Sequence, residues 1–229
     1  MQPIKKEFGF SFVVICGSNE LNKLQESLSN LPNNVEIILV INEVNVELEY
    51  NKLDKEFSND KKQHVKRVVV GLKELDFSKL RNIGLKYCSK EWIISLDSDD
   101  IFSWTYKELD NLRHVKDDVG GLNCPVTYKI DNGDKTPIWV FSQQVKIFRN
   151  NPLFIYEYAV HERVEENILK AGYKLEYSNL LFRHLGYNNT NDLDSKLKRN
   201  KDILERELKI TPLDNYLKSQ LDKLEGLVE

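Results

Sequence analysis

Glu91-Trp92-Ile93-Ile94-Ser95-Leu96-Asp97-Ser98-Asp99-Asp100 is the stretch that decides how this chain is read. An apolar run of strand length empties directly into three acidic side chains, Asp97, Asp99 and Asp100. Like charges crowded at a strand end repel one another and resist desolvation. A hard divalent cation relieves that cost, because Mg2+ and Mn2+ take oxygen ligands from one or two carboxylates together with substrate phosphates. The carboxyl edge of such a strand is also where open α/β sheets bind their ligands. For an Asp-x-Asp taken alone, the competing reading is an acidic turn that caps the next helix.

Upstream of this stretch the pattern alternates. Phe10 to Cys16 is an apolar, β-branched run, followed by Gly17-Ser18-Asn19 and a helical spacing of Leu21, Leu24, Leu28 and Leu31 that Pro32 stops. Val35 to Ile41 is a second buried-type strand, Val46 to Phe57 a polar helical stretch, and Val65 to Val70 a third strand. Leu75 to Tyr87 predicts a helix leading into Trp92 to Leu96. Continuous apolar strands separated by crossover helices predict a parallel sheet covered on both faces. Neither a P-loop nor Gly-x-Gly-x-x-Gly follows the first strand, which argues against an ATPase or dinucleotide fold.

Downstream the pattern changes. Trp104 to His114 reads as helical. Val119 to Tyr128 and Ile138 to Phe148 read as strands around the turn Asp131-Asn132-Gly133-Asp134, which predicts an antiparallel addition to the sheet. Glu162 to Ala171 predicts a short helix ended by Gly172, and Lys174 to Arg183 a last strand. From Asn191 two amphipathic helices follow, broken near Thr211-Pro212, their charge read as a solvated face. The Asn- and Asp-rich stretch Tyr187 to Asp194 reads as a lid.

The chain has 229 residues, 41% hydrophobic and 30% charged, with a net charge of -3. This describes an ordinary globular chain with room for a substantial core and no electrostatic footprint for nucleic acid. No apolar run approaches membrane-spanning length and the first residues lack a signal-peptide core, so a cytoplasmic location is expected. Cys16, Cys88 and Cys124 are far apart and form no CxxC pair, which points to reduced, buried thiols.

Four pieces in order make the chain resemble a family 2 glycosyltransferase of the GT-A fold. They are the strand running into Ser18-Asn19-Glu20; Leu80-Arg81-Asn82-Ile83-Gly84-Leu85; Asp97-Ser98-Asp99-Asp100; and Val160-His161-Glu162 with His184-Leu185-Gly186-Tyr187 downstream. The match covers roughly residues 8–190. It implies a Rossmann-like α/β architecture with a mixed, mostly parallel sheet: a GT-A domain over 1–190 and a helical extension over 191–229 packed on it. It also implies a nucleotide-sugar donor, UDP-sugar by default, a Mn2+ or Mg2+ ion, and inversion at the anomeric carbon.

Residue by residue, the resemblance assigns Asp99 to the metal, with Asp97 at the ribose or sugar hydroxyls and the ion, and Ser98 beside the donor. Asp100 either supports the metal site or caps the following helix. Glu162 stands where the family places its base, at a helix entrance, and a carboxylate there accepts the proton of the incoming nucleophile. The alternative for Glu162 is attraction to a helix dipole. His161 orients the acceptor or supports Glu162, or is a packed core histidine. His184 supplies a further metal ligand from the C-terminal side, imidazole favouring Mn2+, or packs as a structural histidine. Arg81 is read as a diphosphate contact, with a helix-surface ion pair as its alternative. The family's paired aspartates after the second strand are replaced by Asn42-Glu43, either of which can still bond a nucleobase.

Other Asp-x-Asp families fit less well. A haloacid-dehalogenase-type phosphatase wants Thr or Val where Ile101 stands, a calcium loop wants Gly where Phe102 stands, and a sugar nucleotidyltransferase wants a basic Gly-rich loop in place of Gly17-Ser18-Asn19-Glu20. The rival from a different class is a non-catalytic module that binds a sugar nucleotide or a partner. The acceptor is left open among glycan, peptide, lipid and nucleic acid. The C-terminal helices serve as a peripheral membrane contact, a homodimer contact or a cover for the sheet.

Overall fold

The computed structural model describes residues 6–17, 21–43, 64–130, 138–185 and 190–226. Its first half is β1 (Phe10–Gly17), α1 (Leu21–Ser29), β2 (Glu36–Asn42), β3 (His64–Val70), α2 (Phe77–Leu85) and β4 (Trp92–Asp97). β1 pairs in parallel with β2 and β4, and β2 with β3. Alternate β1 side chains go to opposite faces: Phe12, Val14 and Cys16 pack with Leu24 and Leu28 of α1, Val13 and Ile15 with Leu80 of α2. A strand buried on both faces has to be apolar throughout, which is the pattern the sequence shows. α2 lies especially close to the sheet, because a Cβ on Gly84 would meet Val13 Cγ1 at 2.6 Å and Val40 Cγ2 at 2.9 Å. Arg81 lies three residues before Gly84, on the same face of the helix.

The second half adds β5 (Asp100–Ser103), α3 (Tyr106–Asn111), β6 (Val119–Ile130), β7 (Ile138–Arg149), α4 (Glu165–Lys170), β8 (Lys174–Tyr177), β9 (Leu181–His184), α5 (Thr190–Ile210) and α6 (Asn215–Glu225). Among the described residues the sheet runs β3-β2-β1-β4-β7-β6-β9-β5, with β8 also paired to β6. β7 enters antiparallel to β4 and forms a long antiparallel ladder with β6. This is the mixed, mostly parallel α/β sheet expected.

Three local expectations are corrected. Lys174–Arg183 is two strands, β8 pairing with β6 up to Asn123 and β9 from Val126 onward. The break falls opposite Cys124 and Pro125, and Pro125 has no N–H for a ladder. The helix expected from Glu162 starts at Glu165, because Arg163 is held extended by a two-hydrogen-bond bridge to Glu157. Asp100 caps no helix: it opens β5, paired with β9, and the next helix is capped by Thr105.

The polar stretch Val46–Phe57 and the turn at Asp131–Asp134 lie outside the described residues, as do positions 187–189 of the expected lid, while 190–194 begin α5. α5 and α6 pack on Ala159 and Val160 through Ile203, Leu204, Leu217 and Leu224. No helix among the described residues is long and apolar enough to cross a membrane. All three cysteines are buried thiols outside any disulfide, and burial pushes the Cys88 and Cys124 thiols up to about 12.

Candidate active site

A cleft of about 630 Å3 opens at the carboxyl edge of β1 and β4, lined among others by Asn42, Arg81, Asp99, Lys146, Glu162 and His184. At its floor the chain turns sharply between β4 and β5. Asp100 is fully buried; its Oδ2 accepts from Asp97 N at 3.0 Å and from Lys146 Nζ at 2.8 Å, and its Oδ1 lies 2.8 Å from His184 Nδ1. His184 reaches this position because β9 pairs with β5 in the register Asp100↔His184.

Lys146 was not singled out from the sequence. It sits where the β6–β7 register slips: Leu122 pairs with Ile147 and Asn123 with Val145, so β7 carries one extra residue. That residue is Lys146. Bulges of this kind re-aim a side chain next to a site, and here the buried ammonium is delivered to two acids, with Asp97 Oδ2 at 3.7 Å. Burial disfavours the charged lysine, but Asp100 and Asp97 outweigh this and hold its pKa above the ordinary value.

Arg81 is buried and gives its donors to the protein. Nε donates to Glu162 Oε1 at 2.6 Å, one terminal nitrogen to Asp97 Oδ1 at 2.6 Å, and the other to Ser95 Oγ at 2.8 Å and the Leu96 carbonyl at 3.3 Å. Arg81 thus ties Asp97 to Glu162. Burial raises the Asp97 carboxyl, but Arg81, Lys146 and His184 overcome it and hold the group well below the usual carboxylate range. The neighbouring Asn82 clamps the backbone of Tyr156, donating to its carbonyl at 2.9 Å and accepting from its N–H at 2.8 Å. The Arg-Asn pair on α2 thus holds both Glu162 and the chain leading to it.

Asp99 is also buried. Its Oδ1 lies 3.4 Å from His184 Nδ1 and its Oδ2 3.7 Å from Lys196 Nζ on α5, while its carbonyl accepts from Leu185 N at 2.9 Å. Burial pushes its carboxyl up; His184 opposes this, and Asp97 and Asp100 add to it. For His184, burial favours the neutral ring, but the Asp100 hydrogen bond and the surrounding acids raise its pKa. Ligand atoms of Asp97, Asp100 and His184 lie within 4.8 Å of one another, a grouping able to hold a metal ion. The sequence placed Asp99 rather than Asp100 in that group. Lys146 occupies Asp100 and leaves Asp99 the least compensated acid of the turn. Hard carboxylate oxygens with one imidazole fit a divalent ion such as Mn2+.

The remaining expected residues fall around the rim. Ser98 is buried and lines the cleft. Asn42 also lines it, and its Oδ1 accepts from Leu72 N at 3.0 Å, while Glu43 N donates to the Val70 carbonyl at 2.9 Å. His161 lines the cleft beside Glu162, and its carbonyl accepts from Tyr216 Oη at 2.8 Å. Ser18, Asn19 and Glu20 lie outside the described residues.

The glycosyl transferase family 2 model matches residues 12–159, from β1 through the acidic turn to the loop before Glu162. The chain belongs to glycosyl transferase family 2. Among curated relatives, this family 2 chain is 28% identical over 142 residues to the SPbeta prophage-derived glycosyltransferase SunS of Bacillus subtilis, covering 60% of this chain and 32% of SunS. It is 26% identical over 159 residues to a TPR repeat-containing protein of Synechococcus elongatus, covering 65% of this chain and 38% of that protein. The match thus spans about a third of the length of these relatives.

Solved structures share the fold at low identity. A crystal structure of S. aureus TarS 1-349 in complex with UDP-GlcNAc aligns with a TM-score of 0.51 at 14% identity, over 88% of this chain and 67% of that one. The mannosyltransferase PcManGT from Pyrobaculum calidifontis, in complex with GDP-Man and Mn2+, aligns with a TM-score of 0.60 at 11% identity, over 97% of this chain and 71% of that one.

Proposed function

We propose that the chain is a metal-dependent, inverting glycosyltransferase that moves a sugar from a nucleoside-diphosphate donor, a UDP-sugar in preference, to an acceptor nucleophile. The observation that carries this reading is the Arg81 bridge, one guanidinium bonded to both Asp97 and Glu162. It joins a donor-side acid and an acceptor-side acid across one cleft, as a single displacement requires. The UDP-GlcNAc and GDP-Man complexes of fold neighbours support a ligand of this class.

In this reading Asp97, Asp99 and His184 hold the ion, and Ser98, Asn42 and Glu43 meet the nucleotide and sugar, with Ser18, Asn19 and Glu20 completing the donor site. Bound by these residues, a divalent ion would supply Lewis-acid stabilisation of charge on the departing diphosphate. Glu162 is only 14% exposed at its side chain, with Oε1 fixed by Arg81. Oε2, which takes no hydrogen bond from a described residue, receives the acceptor's proton as the nucleophile attacks the anomeric carbon. Attack opposite the leaving group inverts that carbon and releases the nucleoside diphosphate.

The test is hydrolysis of UDP-glucose, UDP-N-acetylglucosamine and GDP-mannose with Mn2+, read beside calorimetry of UDP binding. Glu162→Gln should lose about 10²–10⁴-fold in turnover while keeping UDP affinity. Asp99→Ala should lose the Mn2+-dependent heat of UDP binding. A Glu162→Gln protein that turns over donor at the wild-type rate ends the base assignment. A wild-type protein that binds none of these nucleotides with Mn2+ ends the reading as a whole.

A further inference from the structure

The loop that delivers Glu162 is under backbone strain. Between the bridged residues Glu157 and Arg163, Tyr158 (φ 71°) and His161 (φ 54°) both adopt left-handed conformations. Side chains with a Cβ rarely stay there unless the surroundings over-determine the conformation. Part of that restraint comes from α2, through the Asn82 clamp on Tyr156 and a hydrogen bond from Phe77 N to the Ala159 carbonyl at 2.8 Å.

The rest comes from the C-terminal helices. Ala159 N donates to Glu207 Oε2 of α5 at 3.0 Å, and Tyr216 Oη of α6 donates to the His161 carbonyl at 2.8 Å. The Tyr216 ring packs on Tyr158 with centroids 4.6 Å apart and takes the Arg163 guanidinium at 4.9 Å. Tyr216 therefore touches both left-handed residues and one end of the bridge. Glu207 holds Ala159, one of the two residues between them, and both Ala159 and Val160 are buried in the apolar cluster that α5 and α6 supply. The loop's own core is thus built from the last helices of the chain rather than from the sheet.

We infer that Glu207 and Tyr216 are positioning residues for transfer: they keep the strained 157–163 loop in the one shape that presents Glu162 beside Arg81. This rests on the assignment of Glu162 as base. It makes α5 and α6 part of the catalytic unit rather than an appendage.

The experiment uses the full chain with Tyr216→Phe, Glu207→Ala, Glu207→Gln and Glu162→Gln. Three readouts are compared: Mn2+-dependent hydrolysis of whichever of UDP-glucose, UDP-N-acetylglucosamine and GDP-mannose the wild type cleaves, UDP affinity by calorimetry, and exchange of the Glu157 and Arg163 amide hydrogens, which close the loop through their mutual backbone hydrogen bonds. Tyr216→Phe and Glu207→Ala should each lower kcat about 10- to 100-fold with UDP affinity within about twofold, since a mispositioned group commonly costs this much. Glu207→Gln keeps an acceptor oxygen for Ala159 N and should recover most of the loss. Both damaging variants should speed exchange at Glu157 and Arg163.

Wild-type turnover in Tyr216→Phe and Glu207→Ala, beside an inactive Glu162→Gln, would overturn the inference and leave the base assignment standing. Wild-type turnover in Glu162→Gln would instead remove the base assignment on which it rests. Unchanged exchange at Glu157 and Arg163 in the two damaging variants overturns it whether or not a donor is cleaved.

Discussion

Replacing Lys146 with Met tests the electrostatic account of the acidic turn most directly. The Lys146 side chain is 8% exposed and its partner Asp100 fully buried, so the substitution leaves a carboxylate without its nearest cation. Breaking a buried pair by removing one partner costs about 3–5 kcal/mol. Asp100 keeps the hydrogen bonds it accepts from Asp97 N and the His184 ring, which places the expected loss at the lower end, about 3 kcal/mol. For a chain of this size that is a fall of roughly 6–12 °C in Tm.

Urea unfolding should show the loss as a lower midpoint at an unchanged slope. The double variant Lys146→Met with Asp100→Asn removes the stranded charge and should recover most of it. Lys146→Met with Asp97→Asn should not, because Asp97 lies farther from Lys146 and retains Arg81. A cost under about 1 kcal/mol, the range of an exposed pair, or equal recovery in both double variants would refute the reasoning.

Two further outcomes follow from packing and capping. Gly84→Ala should destabilise by about 1–3 kcal/mol despite alanine's better helix propensity, because the new methyl meets two stiff, buried valines; a raised Tm would contradict the close approach of α2. Asp76 caps α2, accepting from Lys79 N at 2.8 Å and from Ser78 Oγ at 2.7 Å. Burial would raise its carboxyl, but those hydrogen bonds prevail and hold it below the ordinary value. A lowered folded value means the stabilisation is complete above about pH 4 and is lost as pH falls through that lowered value. The difference in urea midpoint between wild type and Asp76→Ala, about 1 kcal/mol at neutral pH, should therefore shrink on acidification; a gap that widens in acid would contradict the cap.

The parallel half of the fold was legible because β1, β2 and β4 are near-continuous apolar runs and α1 and α2 each carry their own apolar periodicity. The acidic turn stood out by its own local charge and Val160-His161-Glu162 by the family resemblance, and the structure brings both onto one cleft. Three features were not. β5 is four residues long and exists only because β9, some eighty residues later, pairs with it, so Asp100 looked like a helix cap. Lys146 stands between Val145 and Ile147 in a strand, where a lone lysine reads as an exposed position; the bulge that turns it inward has no local signature. Tyr216 and Glu207 sit on helices whose mixed charge looked like a solvated face, and their partners lie about fifty residues upstream. The only available signal for Lys146 was an ammonium amid apolar strand neighbours, a placement that burial tolerates when a counter-charge is near.

The double attachment of Arg81 also bears on how such a protein can change over generations. Asp97 and Glu162 draw on the same guanidinium, so a replacement at one alters the charge balance felt by the other, and their effects will not add. Under the donor and acceptor roles proposed above for Asp97 and Glu162, laboratory selection for a new sugar and selection for a new recipient would therefore be coupled through position 81. The productive route is to vary all three positions in one library rather than one after another.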